Sequence, residues 1–186
     1  MEDRIYMYNE TADLRRNIQG VGDAYTSGEL TEFLKEASTE LNVNVGRYYS
    51  ETYISPTKKL TLKFKNIINF NKVVVIHSDS IVPSEQYSVS NGVIEFDEDY
   101  FNEYIDGYTI KVFYEPEAFK YLELLYATRS VLERVMFQTN DELIGVKQQK
   151  VNDRIKRLEA KLNSTRGTTT SVATSKSGLP LRRRFL

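Results

Sequence analysis

His77 is the single histidine of the chain and stands beside Ser78, Asp79 and Ser80, the residue types of a hydrolytic triad. That chemistry needs a hydroxyl, an imidazole and a carboxylate in one hydrogen-bonded line. Adjacent residues of an extended strand point to opposite faces, so neighbours in sequence are badly placed to relay a proton. No G-x-S-x-G elbow occurs either, and the run reads as a polar strand end. Asp97, Glu98 and Asp99 are three consecutive carboxylates, but they lack the ligand spacing and the glycine of a calcium loop. They read as a solvated acidic loop. With no cysteine and one histidine, a tetrahedral zinc site has too few ligands. Neither G-x-x-x-x-G-K nor G-x-G-x-x-G is present, so no phosphate-cradling loop is expected. The expectation is a protein that is not an enzyme, with no catalytic, cofactor or metal site.

Binding chemistry concentrates instead at the carboxyl end. After Glu159 there is no acidic residue, while the stretch from Ser164 carries Arg166, Lys176, Arg182, Arg183 and Arg184 among Ser, Thr and Gly. The chain has 25 Lys plus Arg against 26 Asp plus Glu; without these five cations the remainder has 20 against 26, about −6. Such a tail buries too little apolar surface to order itself, so its order must come from a partner. Leu179, Leu181, Phe185 and Leu186 are apolar anchors interleaved with the charge, the pattern of a peptide that folds on contact. A weaker basic feature lies upstream, where Lys147, Lys150 and Arg154 belong to a stretch with more Lys and Arg than acid. Near a polyanion that stretch offers an electropositive surface.

The elements that must position these groups are legible from pattern. At 186 residues, two-fifths of them hydrophobic, the chain suits one domain, or one domain with an insert. The absence of cysteine fits a reducing compartment, and no apolar run approaches the roughly 18 residues of a membrane span. Met-Glu-Asp-Arg at the start lacks the basic and apolar pattern of a signal peptide. A soluble, intracellular protein without a membrane partner is therefore expected. Residues 1–24 read as a loosely held lead-in, with Thr11 capping a short helix over 12–18. Thr26 and Glu29 stand in the relation of a capping box, and Leu30, Phe33, Leu34, Ala37 and Leu41 give the following helix one apolar face. Gly46 is placed to end it in the left-handed conformation.

From Tyr53-Ile54-Ser55-Pro56 the pattern changes to period two. Leu60, Leu62 and Phe64 alternate with polar residues, and Val73 to Ile76 are apolar on both faces. Asn91-Gly92 predicts a type I′ turn that pairs Ser90 with Val93, Val89 with Ile94 and Tyr87 with Phe96. Asp106-Gly107 marks a second turn, followed by alternating Tyr108, Ile110, Val112 and Tyr114. Four or five antiparallel strands are thus expected between Leu60 and Tyr114. Pro116 suits the first turn of a new helix, whose apolar stripe runs from Phe119 through Leu122, Leu125, Tyr126, Leu132 and Val135 to Met136. After an interruption at Asn140-Asp141, Val151, Ile155, Leu158 and Leu162 form a heptad-like seam, and Gly167 closes the helical part. The predicted fold is α+β: a small bundle of two to four helices with an inserted antiparallel β domain and an extended C-terminal arm. Residues 25–53 and 116–163 form the helical part, 54–115 the insert and 164–186 the arm.

Tyr25–Asn42 (YTSGELTEFLKEASTELN) resembles the first helix of head–tail connector, or adaptor, proteins of tailed bacteriophages. Glu117–Val135, with Phe119-Lys120-Tyr121-Leu122 and Ala127-Thr128-Arg129, is similar to a later helix of that family, and the β segment between them matches the family's insert in placement. The resemblance covers Tyr25 to Leu162 and implies a structural virion protein at the neck, made in the host cytoplasm. It implies a ring of roughly twelve copies with heterologous contacts between neighbours, joining the portal to tail or nozzle proteins and letting DNA pass during genome ejection. On this resemblance Leu179, Leu181, Arg182, Arg183, Arg184, Phe185 and Leu186 would dock on the portal, and Lys147, Lys150 and Arg154 would face the DNA channel. The alternative from another class is a small nucleic-acid-binding or regulatory module that uses the basic tail.

Overall fold

A computed structural model describes residues 7–20, 22–139, 141–164 and 169–171. The first helix, α1 (Thr11–Asn17), is capped by Glu10 rather than by Thr11: Glu10 and Asp13 form the reciprocal capping box, and Thr11 is already helical. A turn of 3-10 helix over Gly22–Ala24 leads to α2 (Ser27–Asn44). Here the predicted capping box is present, with Glu29 N–H donating to Thr26 Oγ1 at 3.3 Å and Thr26 N–H donating to Glu29 Oε2 at 2.9 Å. Leu30, Phe33, Leu34, Ala37 and Leu41 are all buried, and Gly46 takes φ +84° just past the helix end.

Strand β1 (Tyr49–Ile54) follows at once, in a stretch that sequence pattern assigned to the helical part. Its inward positions are Tyr49, Glu51 and Tyr53, and a carboxylate at the middle of that face hides the alternation. β2 (Lys59–Thr61), β3 (Ile67–Val75), β4 (Ser80–Ile81), β5 (Tyr87–Ser90), β6 (Val93–Phe96), β7 (Thr109–Pro116) and β8 (Thr169–Ser171) complete the strands. They form two sheets, β4-β3-β7-β1-β8 and β2-β6-β5. Within the insert every pairing is antiparallel, as expected, but it holds six strands, β2 to β7, rather than four or five; the parallel pairing, β1 with β8, joins strands on either side of it. The hairpin has the predicted register, Tyr87 to Phe96, Val89 to Ile94 and Ser90 to Val93. Asn91 and Gly92 both have positive φ, as the type I′ turn requires. A Cβ on Gly92 would stand 2.5 Å from the Lys65 Cα, so the close approach of backbone also demands glycine.

Between the sheets and the later helices the acidic run 97–99 is not a loose loop. Asp97 is an N-cap, accepting from the backbone N–H of Asp99 and of Tyr100 at 3.1 Å each. It opens the short α3 (Glu98–Tyr100), which passes into a π-helical turn over Phe101–Ile105 with Phe101 and Ile105 buried. Pro116 does not start a helix. It ends β7 opposite Ile67, where a residue without an N–H costs the ladder nothing further, and α4 (Ala118–Thr139) begins two residues on.

α5 (Glu142–Asn163) is capped by Asp141, whose carboxylate accepts from Leu143 N–H at 2.8 Å. The seam residues Ile155 and Leu162 are buried, with Val151 and Leu158 half-buried beside them. Gly167 lies outside the described residues. α4 is the hub of the helical layer, packed against α1, α2 and α5, and the fold is α+β with one continuous core running from Leu14 to Leu162. Among the described residues no helix is long and apolar enough to cross a membrane.

Candidate functional site

The residues expected to dock a partner fall in different places. Leu179, Leu181, Arg182, Arg183, Arg184, Phe185 and Leu186 lie outside the described residues. Lys147, Lys150 and Arg154 are together: all three are exposed on one side of α5, at the rim of a groove of about 390 Å³ whose other wall is Arg16 and Asn17 of α1. The groove floor includes Thr128 of α4, whose hydroxyl donates to Leu124 O at 2.7 Å and accepts from Asn17 Nδ2 at 2.6 Å. His77 stacks on Tyr108 with ring centroids 5.7 Å apart, while the Ser78 and Ser80 hydroxyls bond each other at 2.6 Å. Asp79 sits in the turn with φ +51°. That geometry assembles no relay. Among the described residues no group of three His, Cys, Asp or Glu is placed to hold a metal.

Sequence pattern missed three buried carboxylates, and each fastens one part of the molecule to another. Glu51 of β1 accepts hydrogen bonds from the hydroxyls of Tyr53 and Tyr114 and, at 3.0 Å, from Lys63 N–H just beyond β2. The Tyr114 hydroxyl in turn accepts from Phe64 N–H at 3.3 Å. One carboxylate thereby ties the three-stranded sheet to the five-stranded one. Both phenols are pushed well above their ordinary range, first by burial and then by their bonds to Glu51.

Glu123 and Glu115 hold the lead-in. Glu123 is fully buried in α4 and accepts from Tyr8 N–H at 2.7 Å and Asn9 N–H at 3.4 Å. Asn9 Nδ2 donates to Lys120 O at 2.8 Å, and the Tyr8 ring meets Phe119 edge-on. Burial pushes the Glu123 carboxyl up to about 7 against the pull of those amides, and burial also raises Glu115, which the Tyr8 side chain contacts. The described part of the lead-in is therefore pinned, not loosely held. The missing signal is a partner more than a hundred residues away in sequence, which local pattern cannot contain.

The helices are joined by a polar lattice on the motif Ala127-Thr128-Arg129. Arg129 pairs with Glu40 of α2 and lies 3.7 Å from Glu133, and the Tyr126 hydroxyl reaches Glu159 of α5 while accepting from Asn44 Nδ2. These contacts fix α2, α4 and α5 as a rigid unit. Its surface is apolar where α4 turns into α5: Phe137 is 93% exposed and Leu143 73%, with Met136 and Val146 beside them. A second set, Ile76, Ile81 and Tyr108, is exposed where β7 begins. The two sets terminate α4 and β7 at the ends away from their junction at 116–118. Large side chains this exposed and grouped mark contact surfaces rather than core. No protein-family model matches this chain, and no curated protein matches it.

Proposed function

We propose that the chain is a structural adaptor whose copies close into a ring between the capsid portal and the tail of a tailed bacteriophage, with the C-terminal arm docking on the portal. The observation that carries this reading is the apolar set Phe137, Leu143, Met136 and Val146 at the end of a rigid helical pair. A monomer gains nothing from leaving it wet. A second copy covering it, contact after contact in one rotational sense, closes a ring without requiring a two-fold axis. The helix–β–helix order of the resemblance supports the same reading, because α2 and the α4–α5 pair come together across the inserted strands.

The division of labour is physical. A rigid body holds the ring's diameter, and each C-terminal arm adds a weak grip on the portal that multiplies through avidity. Removing Pro180–Leu186 tests the docking half: portal attachment is lost while the circular dichroism spectrum is unchanged. A truncated chain that attaches to portal as the whole one does overturns it. The second reading, a small nucleic-acid-binding or regulatory module, is favoured by the cations of α5. It differs in predicting no closed rings.

A further inference from the structure

Charge is segregated along this chain. Residues 73–110 hold eight carboxylates and no Lys or Arg, whereas residues 143–152 hold Lys147 and Lys150 and no acid. The fold offsets part of the first excess: Glu95 pairs with Lys59 and Glu98 with Lys58, each at 3.0 Å. Asp97 is engaged as the cap of α3. Among the described residues Asp79, Glu85, Asp99, Glu103 and Asp106 have no ion-pair partner, and all five are exposed. Lys147, Lys150 and Arg154 are exposed and equally without one among the described residues.

Each excess lies beside exposed apolar side chains. Where β7 begins, backbone bonds hold the parts of one end together: Ile76 N–H donates to Thr109 O at 2.9 Å, and Tyr108 N–H donates to Ile105 O at 3.0 Å. His77 stacks on Tyr108, and the Tyr104 ring packs on Tyr100 with centroids 4.8 Å apart. Ile76, Tyr104 and Tyr108 are exposed there, among Asp79, Glu103 and Asp106. At the turn from α4 to α5, the apolar set of Phe137, Leu143 and Val146 runs directly into Lys147 and so into the groove beside α1. That groove has cations at its rim, the buried Ile18 and Leu132 in its floor, and no carboxylate in its lining.

One end is thus apolar and acidic, the other apolar and basic. Neither suits a copy of itself, because like charges would meet, and each suits the other. We infer that the α4–α5 turn and its cationic groove receive the β7 end of a neighbouring copy, apolar set against apolar set and the carboxylates around Tyr104 against the cations of the groove. With the ring reading as its premise, this pairing supplies the surface that covers the Phe137 set. Two different surfaces meet, so the contact repeats from copy to copy in one sense. The α5 cations are answered by carboxylates of the next chain rather than by phosphates.

The test is charge reversal in the full chain, read by sedimentation velocity with micrographs of the same samples. One variant carries Lys147→Glu with Lys150→Glu, the other Glu103→Lys with Asp106→Lys. Within either variant the contact now places like charges together, so self-association should weaken at least about tenfold with an unchanged dichroism spectrum. Mixed in equal amounts the two variants alternate, every contact again joins opposite charges, and assembly should return to that of the unaltered chain. The single changes Lys150→Glu and Asp106→Lys, mixed in the same way, decide the matter where a double variant does not fold. Assembly that survives either reversal, or a mixture that does not recover, overturns the pairing. So does a helix-end reversal that loses binding to a labelled DNA duplex while assembly stays whole, which would give those cations to nucleic acid. Open strings of copies that obey the mixing rule keep the pairing and remove the ring, whereas closed rings indifferent to the reversals keep the ring and remove the pairing. Unaltered chains that stay single, alone and on portal, overturn both.

Discussion

Helices α4 and α5 are each 22 residues long and lie against one another, yet α4 buries nine residues and α5 three. α4 is surrounded by α1, α2 and α5, so even Glu123 and Thr128 are drawn out of water and must find partners there. α5 needs one seam to stay attached, and most of its circumference is free of the fold's demands. It buries little and keeps Lys147, Lys150, Arg154, Arg157 and Lys161 exposed. The comparison teaches that α4 answers to packing on every side, whereas the outer face of α5 is not explained by the stability of the fold.

The sharpest way to break that contrast is to empty one side of it. Phe119→Ala in α4 removes a fully buried ring and should cost about 3–5 kcal/mol in urea unfolding. A loss under 1 kcal/mol would show that α4 is not the hub.

Next in size is the pH response of Glu123. Its folded carboxyl is raised from 4.5 to about 7, so between those values the unfolded chain gives up its proton first. The contribution is fully present below pH 4.5 and is lost as pH rises through 7, on the order of 3 kcal/mol in all. Subtracting the Glu123→Gln unfolding curve from the parent curve should isolate a fall across that window, and a rise instead would contradict the burial argument.

On α5 the expected effects on stability shrink. Asp141→Ala loses the cap on Leu143 N–H and should cost about 1 kcal/mol in the same titration. Leu143→Ser with Phe137→Ser should change unfolding by no more than about 0.5 kcal/mol, since both side chains are exposed. The same pair should abolish ring formation, and rings that persist would take the apolar turn out of the interface.

How much of this was legible in the sequence depended on distance along the chain. The Tyr87–Phe96 register could be read to the residue, because Asn91-Gly92 dictates it locally and Gly92 has no room for a Cβ. The Thr26–Glu29 cap was legible for the same reason. β1 was not, since Glu51 occupies an inward position where pattern demands an apolar residue, and only Tyr53, Tyr114 and Lys63 make it tolerable there. The burial of Glu123 was not legible, because its donors, Tyr8 and Asn9, sit at the other end of the chain. The basic character of the stretch holding Lys147, Lys150 and Arg154 was legible from composition, and all three are exposed. The groove beside it was not, because Arg16 arrives by the packing of α1.

Negative-stain micrographs of the purified full chain, alone and mixed with portal protein, test the adaptor reading most directly. Closed rings of uniform diameter, free or seated on portal, are the predicted result. Particles that remain single chains in both samples would contradict it.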